Sequence, residues 1–215
     1  MNEETKKSLL NFFSKYPVKK YKKGEIILHP GEDFGGISFV KSGSIRVYSL
    51  SKDGRETSIQ LFKPMFYLSL IAQMTHTKNQ YFMEAISHVD VMTAPKADFL
   101  KYLENNPTVK NEVMVAFLKK FLDLTTNMLQ IIASDAQSKV LGLIYSLADE
   151  FGVKKGEKVV IKFKITHKLI ASLTGLTRET VTLQMLKLQK MGLIGNEKRE
   201  IVVLNMKKIV KGLGY

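Results

Sequence analysis

The sequence predicts an α+β chain with an N-terminal antiparallel β-roll of jelly-roll type, a long central dimerisation helix and a C-terminal winged helix-turn-helix. Three observations carry this. Residues 20–95 break into short β-type runs divided by Gly, Pro and Asp. Residues 108–133 carry apolar side chains at heptad spacing. The run ITHKLIASLTGLTRETVTLQMLKLQKMGLI, from Ile165 to Ile194, holds two short helical patterns around a glycine turn. The expected divisions are 1–107, 108–133 and 134–215.

Residues 3–16 read as a helix closed by Pro17. Strand patterns follow at Glu25–His29, Ile37–Val40, Ser44–Leu50, Glu56–Phe62, Tyr81–Ile86 and Val89–Thr93, with Lys52-Asp53-Gly54 as a hairpin turn. After Pro95 the pattern turns helical, with a short helix over Lys96–Glu104, a break at Asn106-Pro107, and a long helix from about Thr108 to Ala133. In that long helix Met114, Phe117, Phe121, Leu124, Met128 and Ile131 recur at alternating three- and four-residue steps. Val113, Leu118, Leu122, Leu129 and Ile132 widen the apolar surface beyond one stripe. Burial of the whole seam against the chain's own roll is one reading. A two-chain contact with the other face on the roll is favoured, because one small roll cannot cover both faces.

Ser134-Asp135 caps a further helix over Ala136–Phe151, ended by Gly152, and Val159–Lys164 alternates as a strand. Thr166 then opens a helix to about Ser172, Gly175 marks the turn, and Thr177 caps a helix that stops at Met191-Gly192. Ile194–Leu204, containing Gly195-Asn196 and Lys198-Arg199, reads as a basic hairpin, the wing.

Charge points the same way. Residues 154–215 hold 14 Lys and Arg against 4 acidic residues, while residues 1–153 hold 19 against 16, so most of the net +13 lies in the last third. A basic small domain beside a nearly neutral larger one suits a polyanion partner. Cysteine is absent, which excludes disulfides and cysteine-held zinc or iron–sulfur clusters. No apolar run reaches the ~18 residues of a membrane span, and MNEETKKSLL lacks the layout of a secretion signal. A cytoplasmic location with no membrane partner is expected.

Within the second helix of the pair, Val181 and Leu186, and also Leu188, are expected in the core with Met185 and Leu193. Arg178 suits a bidentate contact to guanine or a phosphate, and Glu179 suits acceptance from cytosine, with Thr182 on the same groove face. Thr166, Lys168, Thr177, Gln184, Lys187, Lys190, Lys198 and Arg199 are candidates for the DNA backbone.

These residues also carry a family resemblance. Gly175-Leu176-Thr177-Arg178-Glu179-Thr180-Val181, then Leu186 and Met191-Gly192-Leu193-Ile194, resemble the DNA-binding segment of the CRP/FNR superfamily of bacterial transcription regulators. Gly24-Glu25-Ile26-Ile27, Gly31, Phe39–Tyr48 and Asp53-Gly54-Arg55-Glu56 resemble its N-terminal half. The resemblance implies a cyclic-nucleotide-binding-type roll, a dimer helix and a winged helix, acting as a homodimer on a near-palindromic operator. It places Arg178 and Glu179 at two base-reading positions. The third, commonly Arg, is Leu183 here, which can meet a thymine methyl but cannot hydrogen-bond to guanine.

The sensor half departs from that pattern. Members that bind cyclic nucleotide carry a Gly-rich short helix with a Glu for the ribose and a later Arg for the phosphate. Here Phe62–Leu70 has neither Gly nor Glu, and Lys78–Glu84 has no Arg. Cyclic AMP is therefore disfavoured, since a buried phosphate needs a paired cation or several backbone donors. Met65, Phe66, Tyr67 and Tyr81 either line a site for an unidentified, more apolar effector or fill the roll themselves; the residues do not decide between these. Haem would need His76 or His88 as axial ligand, and neither has diagnostic spacing; His29 and His167 are equally weak metal candidates, so no metal and no cofactor are expected. No catalytic motif is present, and the chain is not expected to be an enzyme. RNA polymerase is left open as a further partner, as is the choice between activation and repression. The alternative function is a roll-type sensor or interaction protein whose basic end docks to protein or anionic membrane.

Overall fold

The computed structural model describes residues 1–197 and 200–212. The chain divides into two compact units, Met1–Arg55 with Ile59–Leu124, and Glu56–Ser58 with the chain from Thr125 onward.

In the first unit, α1 (Glu3–Phe13) is capped by Asn2, whose side chain accepts from the Thr5 amide. Seven strands follow: β1 (Val18–Tyr21), β2 (Ile26–Leu28), β3 (Ile37–Ser42), β4 (Ile45–Leu50), β5 (Glu56–Phe62), β6 (Phe82–Ala85) and β7 (Val89–Ala94), with the short helix α2 (Leu70–Thr75) between β5 and β6. They pair as two antiparallel sheets, β1-β7-β3 and β2-β6-β4-β5. This is the expected roll. Strand β7 lies between β1 and β3 and contributes to both cores of the unit. Met92 and Ala94 join Phe13, Phe39, Tyr67 and Phe99 in one cluster, while Val89 and Val91 join Val40, Ile45, Val47 and Met83 in the other. Residue 43 must be glycine. Its φ is +83°, and a Cβ there would sit 2.0 Å from the His88 carbonyl oxygen.

Helices α3 (Lys96–Glu104) and α4 (Pro107–Ala133) follow, and Val109 and Val113 of α4 complete the first core cluster. The second unit contains α5 (Ala136–Phe151), the hairpin β8 (Gly152–Lys155) and β9 (Lys158–Ile161), α6 (His167–Thr174), α7 (Arg178–Lys190), the hairpin β10 (Ile194–Glu197) and β11 (Glu200–Val203), and α8 (Met206–Gly212). Its four strands form one antiparallel sheet, β10-β11-β9-β8.

Four elements depart from expectation, and one of them is α8, which lies beyond the hairpin where the sequence pattern ends. Strand β1 has only Tyr21 buried and three exposed residues, so it shows no alternation; pairing with β7 makes it a strand. Helix α2 is too short to show a helical period. Strand β8 is mostly polar and is formed by its hairpin with β9 around Gly156, whose φ is +61°. No helix among the described residues is long and apolar enough to cross a membrane.

Candidate nucleic-acid interface

Helices α6 and α7 are set by matching caps. Thr166 Oγ1 accepts from the Leu169 amide at 3.1 Å, and Thr177 Oγ1 from the Thr180 amide at 3.2 Å. Between them Gly175 adopts the left-handed conformation, φ +71°, which ends α6 and turns the chain into α7. Helix α7 buries Val181, Met185 and Leu188 at four- and three-residue steps, with Leu193 beyond its end. Leu186 does not join them. It is 49 % exposed, because a residue one position past Met185 is turned about 100° from the buried stripe.

The opposite face carries the candidate base readers. Arg178 and Glu179 occupy the first turn and are exposed; Thr182 and Leu183 lie four residues on, beside them on the surface, and Leu183 is 61 % exposed. Arg178 and Glu179 form no ion pair among the described residues, so their charged ends are not used inside the fold. Glu179 at the N-terminus and Lys187 and Lys190 in the last turn also complement the helix dipole. Thr182 is half-buried. Its hydroxyl donates to the Arg178 carbonyl at 2.9 Å and lies 2.8 Å from His167 Nδ1.

Among the backbone candidates, Lys168, Lys187 and Lys190 are exposed, as are Thr166 and Thr177. A capping threonine spends an oxygen lone pair on the helix, so capping itself does not consume the hydroxyl hydrogen; Thr177 Oγ1 also lies 2.9 Å from the Thr180 hydroxyl, and either of the two can donate to the other. Gln184 differs, since its Oε1 is buried without a hydrogen-bond partner among the described residues, on the side of α7 shared with Val181, Met185 and Leu188. The helical period accounts for this, residue 184 lying three after 181. The expected wing is the hairpin β10–β11, paired from Ile194 with Val203 to Glu197 with Glu200. Lys198 and Arg199 lie outside the described residues.

The central helix has two distinct faces. Val109 and Val113 are buried in the first unit, and Phe117, four residues later, packs partly buried against the same core, its ring 5.7 Å from Phe66 and 6.1 Å from Tyr67. Phe117 therefore leaves the expected intersubunit seam, and Leu124, one heptad on, is half-buried. Met114, Phe121, Met128 and Ile131 of that seam are exposed, Phe121 at 63 %. Leu118, Leu122, Leu129 and Ile132 are exposed with them, so the outward apolar stripe is rotated from the one read in the sequence.

In the roll, the expected effector residues separate. Tyr67 is buried among Phe13, Phe39 and Phe99, and burial pushes its phenol well above the usual range. Phe66 stacks on Phe62 at 4.0 Å, and Met65, at φ +70°, packs on the first core cluster. Tyr81 is 40 % exposed. A separate cavity of about 310 Å³ is lined by Leu28, Phe34, Leu68, Ala72 and Met83 together with Glu32, Asp33, Ser69, Gln73, His76, Lys78 and Asn79. Its polar wall is organised: Asp33 Oδ1 accepts from Gln73 Nε2 at 2.6 Å and from the Gly35 amide at 3.1 Å. Sequence reasoning missed this cavity because its residues come from three separated segments with no motif of their own.

Comparison with known proteins matches these two halves separately. Residues 18–106 match the cyclic nucleotide-binding domain model, and residues 138–211 match the Crp-like helix-turn-helix domain model. The chain is 24 % identical over 191 residues to the global nitrogen regulator of Synechococcus elongatus, covering 87 % of this chain and 86 % of that one. Among solved structures, it is similar to a putative CRP/FNR-family transcriptional regulator of Eubacterium rectale, at 25 % identity and TM-score 0.67, over 100 % of this chain and 96 % of that one. A CRP/FNR-family regulator of Thermus thermophilus shares the fold at TM-score 0.71 and 20 % identity, over 93 % and 99 % of the two chains.

Proposed function

Because the chain belongs to the CRP/FNR family of transcriptional regulators, we propose that it acts as a homodimer on a near-palindromic operator and does so without a cyclic nucleotide. The observation that carries the operator reading is the outer face of α7. Arg178, Glu179 and Leu183 stand exposed on its N-terminal half, the part of a recognition helix that reaches base edges, and among the described residues no ion pair takes up the charged ends of Arg178 and Glu179. Arg178 reads guanine, Glu179 accepts from cytosine, and Leu183 meets a thymine methyl. Lys168, Lys187, Lys190, Thr166 and Thr177 hold the phosphates around them, and Lys198 and Arg199 belong to the same set.

The homodimer rests on the outward face of α4. Large apolar side chains exposed at heptad-related positions along a 27-residue helix are the surface that a second copy of the same helix covers. Two recognition helices held by that contact require an operator with two related half-sites.

Independence from cyclic nucleotide is supported by the roll's cavity. A cyclic phosphate bound there would meet the side chains of Glu32 and Asp33, with Lys78 the one Lys or Arg among the described residues of the wall. That is a poor environment for an anion. An effector taken up by the roll would occupy this polar cavity, not the Met65–Tyr67 segment, and would carry little negative charge. Activation would further need a contact with RNA polymerase, whereas repression would need only occupancy of the operator.

Selection of genomic fragments by the purified, ligand-free protein tests the reading. An enriched inverted repeat, bound with an affinity that falls steeply with salt, is the expected result. Weak, sequence-indifferent retention, unchanged by added cyclic AMP, would overturn it in favour of docking to protein or an anionic surface. A requirement for cyclic AMP would overturn only the ligand-independent part.

A further inference from the structure

One contact within the motif is not explained by helix packing alone. His167, the first residue of α6, places Nδ1 2.8 Å from Thr182 Oγ1, and the same oxygen is 2.9 Å from the Arg178 carbonyl. A threonine hydroxyl has one hydrogen. Both contacts are hydrogen bonds at the same time only if that hydrogen goes to the Arg178 carbonyl and Nδ1 of His167 carries a proton and donates. The geometry thus selects a ring protonated at Nδ1.

We propose that His167 is a positioning residue for base reading, and that through it Thr182 presents its methyl group, not its hydroxyl, to the base edges. This rests on the operator reading above. In a helix, threonine divides between two χ1 wells, one of which returns the hydroxyl to the carbonyl four residues back. The bond from His167 holds Thr182 in that well. The hydroxyl is then engaged as donor and as acceptor inside the motif, and the γ-methyl is what remains for a base. Thr182 and Leu183 form an apolar pair one turn beyond the charged pair Arg178 and Glu179. The first turn reads by hydrogen bonds and the second by thymine methyls, so the inference adds His167 to the residues that decide operator sequence. Removing the imidazole releases the threonine rotamer and blurs the preference at one base pair per half-site, while contacts to phosphate are unaffected.

The test is competitive selection from a library in which each base pair of the enriched operator is randomised, using the full-length protein. Thr182→Val, which keeps a methyl and loses the hydroxyl, is expected to retain the wild-type base preference at the position residue 182 faces. Thr182→Ser, which keeps the hydroxyl and loses the methyl, is expected to lose about tenfold of that preference. His167→Leu is expected to flatten the same position and no other, and His167→Gln, whose amide restores a donor, to recover it. A purely structural role for His167 would lower affinity evenly across all sequences, and that outcome overturns the proposal. So does retention by Thr182→Ser with loss by Thr182→Val. A wild-type protein that selects no discrete sequence would remove the operator reading itself, and this inference with it.

Discussion

Two apolar regions of the chain end in opposite places. Met65, Phe66 and Tyr67, flanked by glycine-free sequence in the roll, are taken up by their own unit, Tyr67 completely. Phe121, Leu122 and Leu129 on α4, and Leu183 on α7, are of the same chemical kind and are left outside. The difference lies in what already surrounds each segment. The roll closes around its residues from two sheets and four helices, whereas the outward face of α4 is left exposed among the described residues. A large apolar side chain that the fold leaves exposed, among others like it, is evidence of a macromolecular contact. One that the fold has absorbed is evidence only of packing.

The sharpest way to break this comparison is the double change Leu118→Glu and Phe121→Glu. Light scattering is expected to show a monomer with an almost unchanged unfolding temperature, and operator affinity to fall by about 100-fold through lost bivalency. A dimer that survives would remove the assignment of the outward face. Phe117→Ala, four residues from Phe121 but on the inward face, should do the reverse. It leaves the dimer intact and lowers unfolding stability by about 2–4 kcal/mol in denaturant titration. Arg178→Ala should cost about 1–3 kcal/mol of discrimination between operator and random duplex in competition binding, with little change in stability. Tyr67→Phe sharpens the other side of the contrast. The buried hydroxyl has no hydrogen-bond partner among the described residues, so its removal should leave the thermal midpoint unchanged or raise stability by up to about 1 kcal/mol. A fall would reveal a partner for it.

The smallest expected effect concerns the second unit alone. Asp135 caps α5, and hydrogen bonds from Ser138, first from its amide, hold the carboxyl below the usual aspartate range. A carboxyl whose pKa is lowered by folding stabilises the native state above its unfolded pKa, and that stabilisation is lost as pH falls through the lowered native value. Asp135→Ala should therefore unfold more easily than the parent at neutral pH, with the two thermal midpoints converging in acid. A constant gap across the range would show that charge is not involved.

The parts of this fold legible in the sequence are those with local signals. Gly175 between two threonine caps sets the helix-turn-helix, and Ala136–Phe151 and Lys96–Glu104 are bounded by the residues that read as their limits. Strand β1 was illegible because lysines on an edge strand obey no alternation, and α2 because six residues hold less than two turns. At the site, Arg178 and Glu179 were legible from their place in the first turn of the second motif helix, and Leu183 from the family resemblance. The inward turn of Gln184 and the bond between His167 and Thr182 were not, since each depends on which side of α7 meets a helix fifteen residues upstream. The rotation of the α4 stripe has a similar cause: the heptad pattern gives the spacing of two apolar faces, and only Val109 and Val113 in the core decide which faces in.

The seven-residue recurrence of Val115, Leu122 and Leu129 along α4 makes that helix a register as well as a surface. One added residue between Phe121 and Met128 turns everything after it by about 100°, so the later half of the stripe goes out of phase with the earlier half. Seven added residues lengthen the helix by about 10 Å and keep the stripe in phase. Length changes here are therefore felt by their remainder modulo seven, and a ladder of insertions would read out the helix as a clock, with tolerance returning once per full heptad.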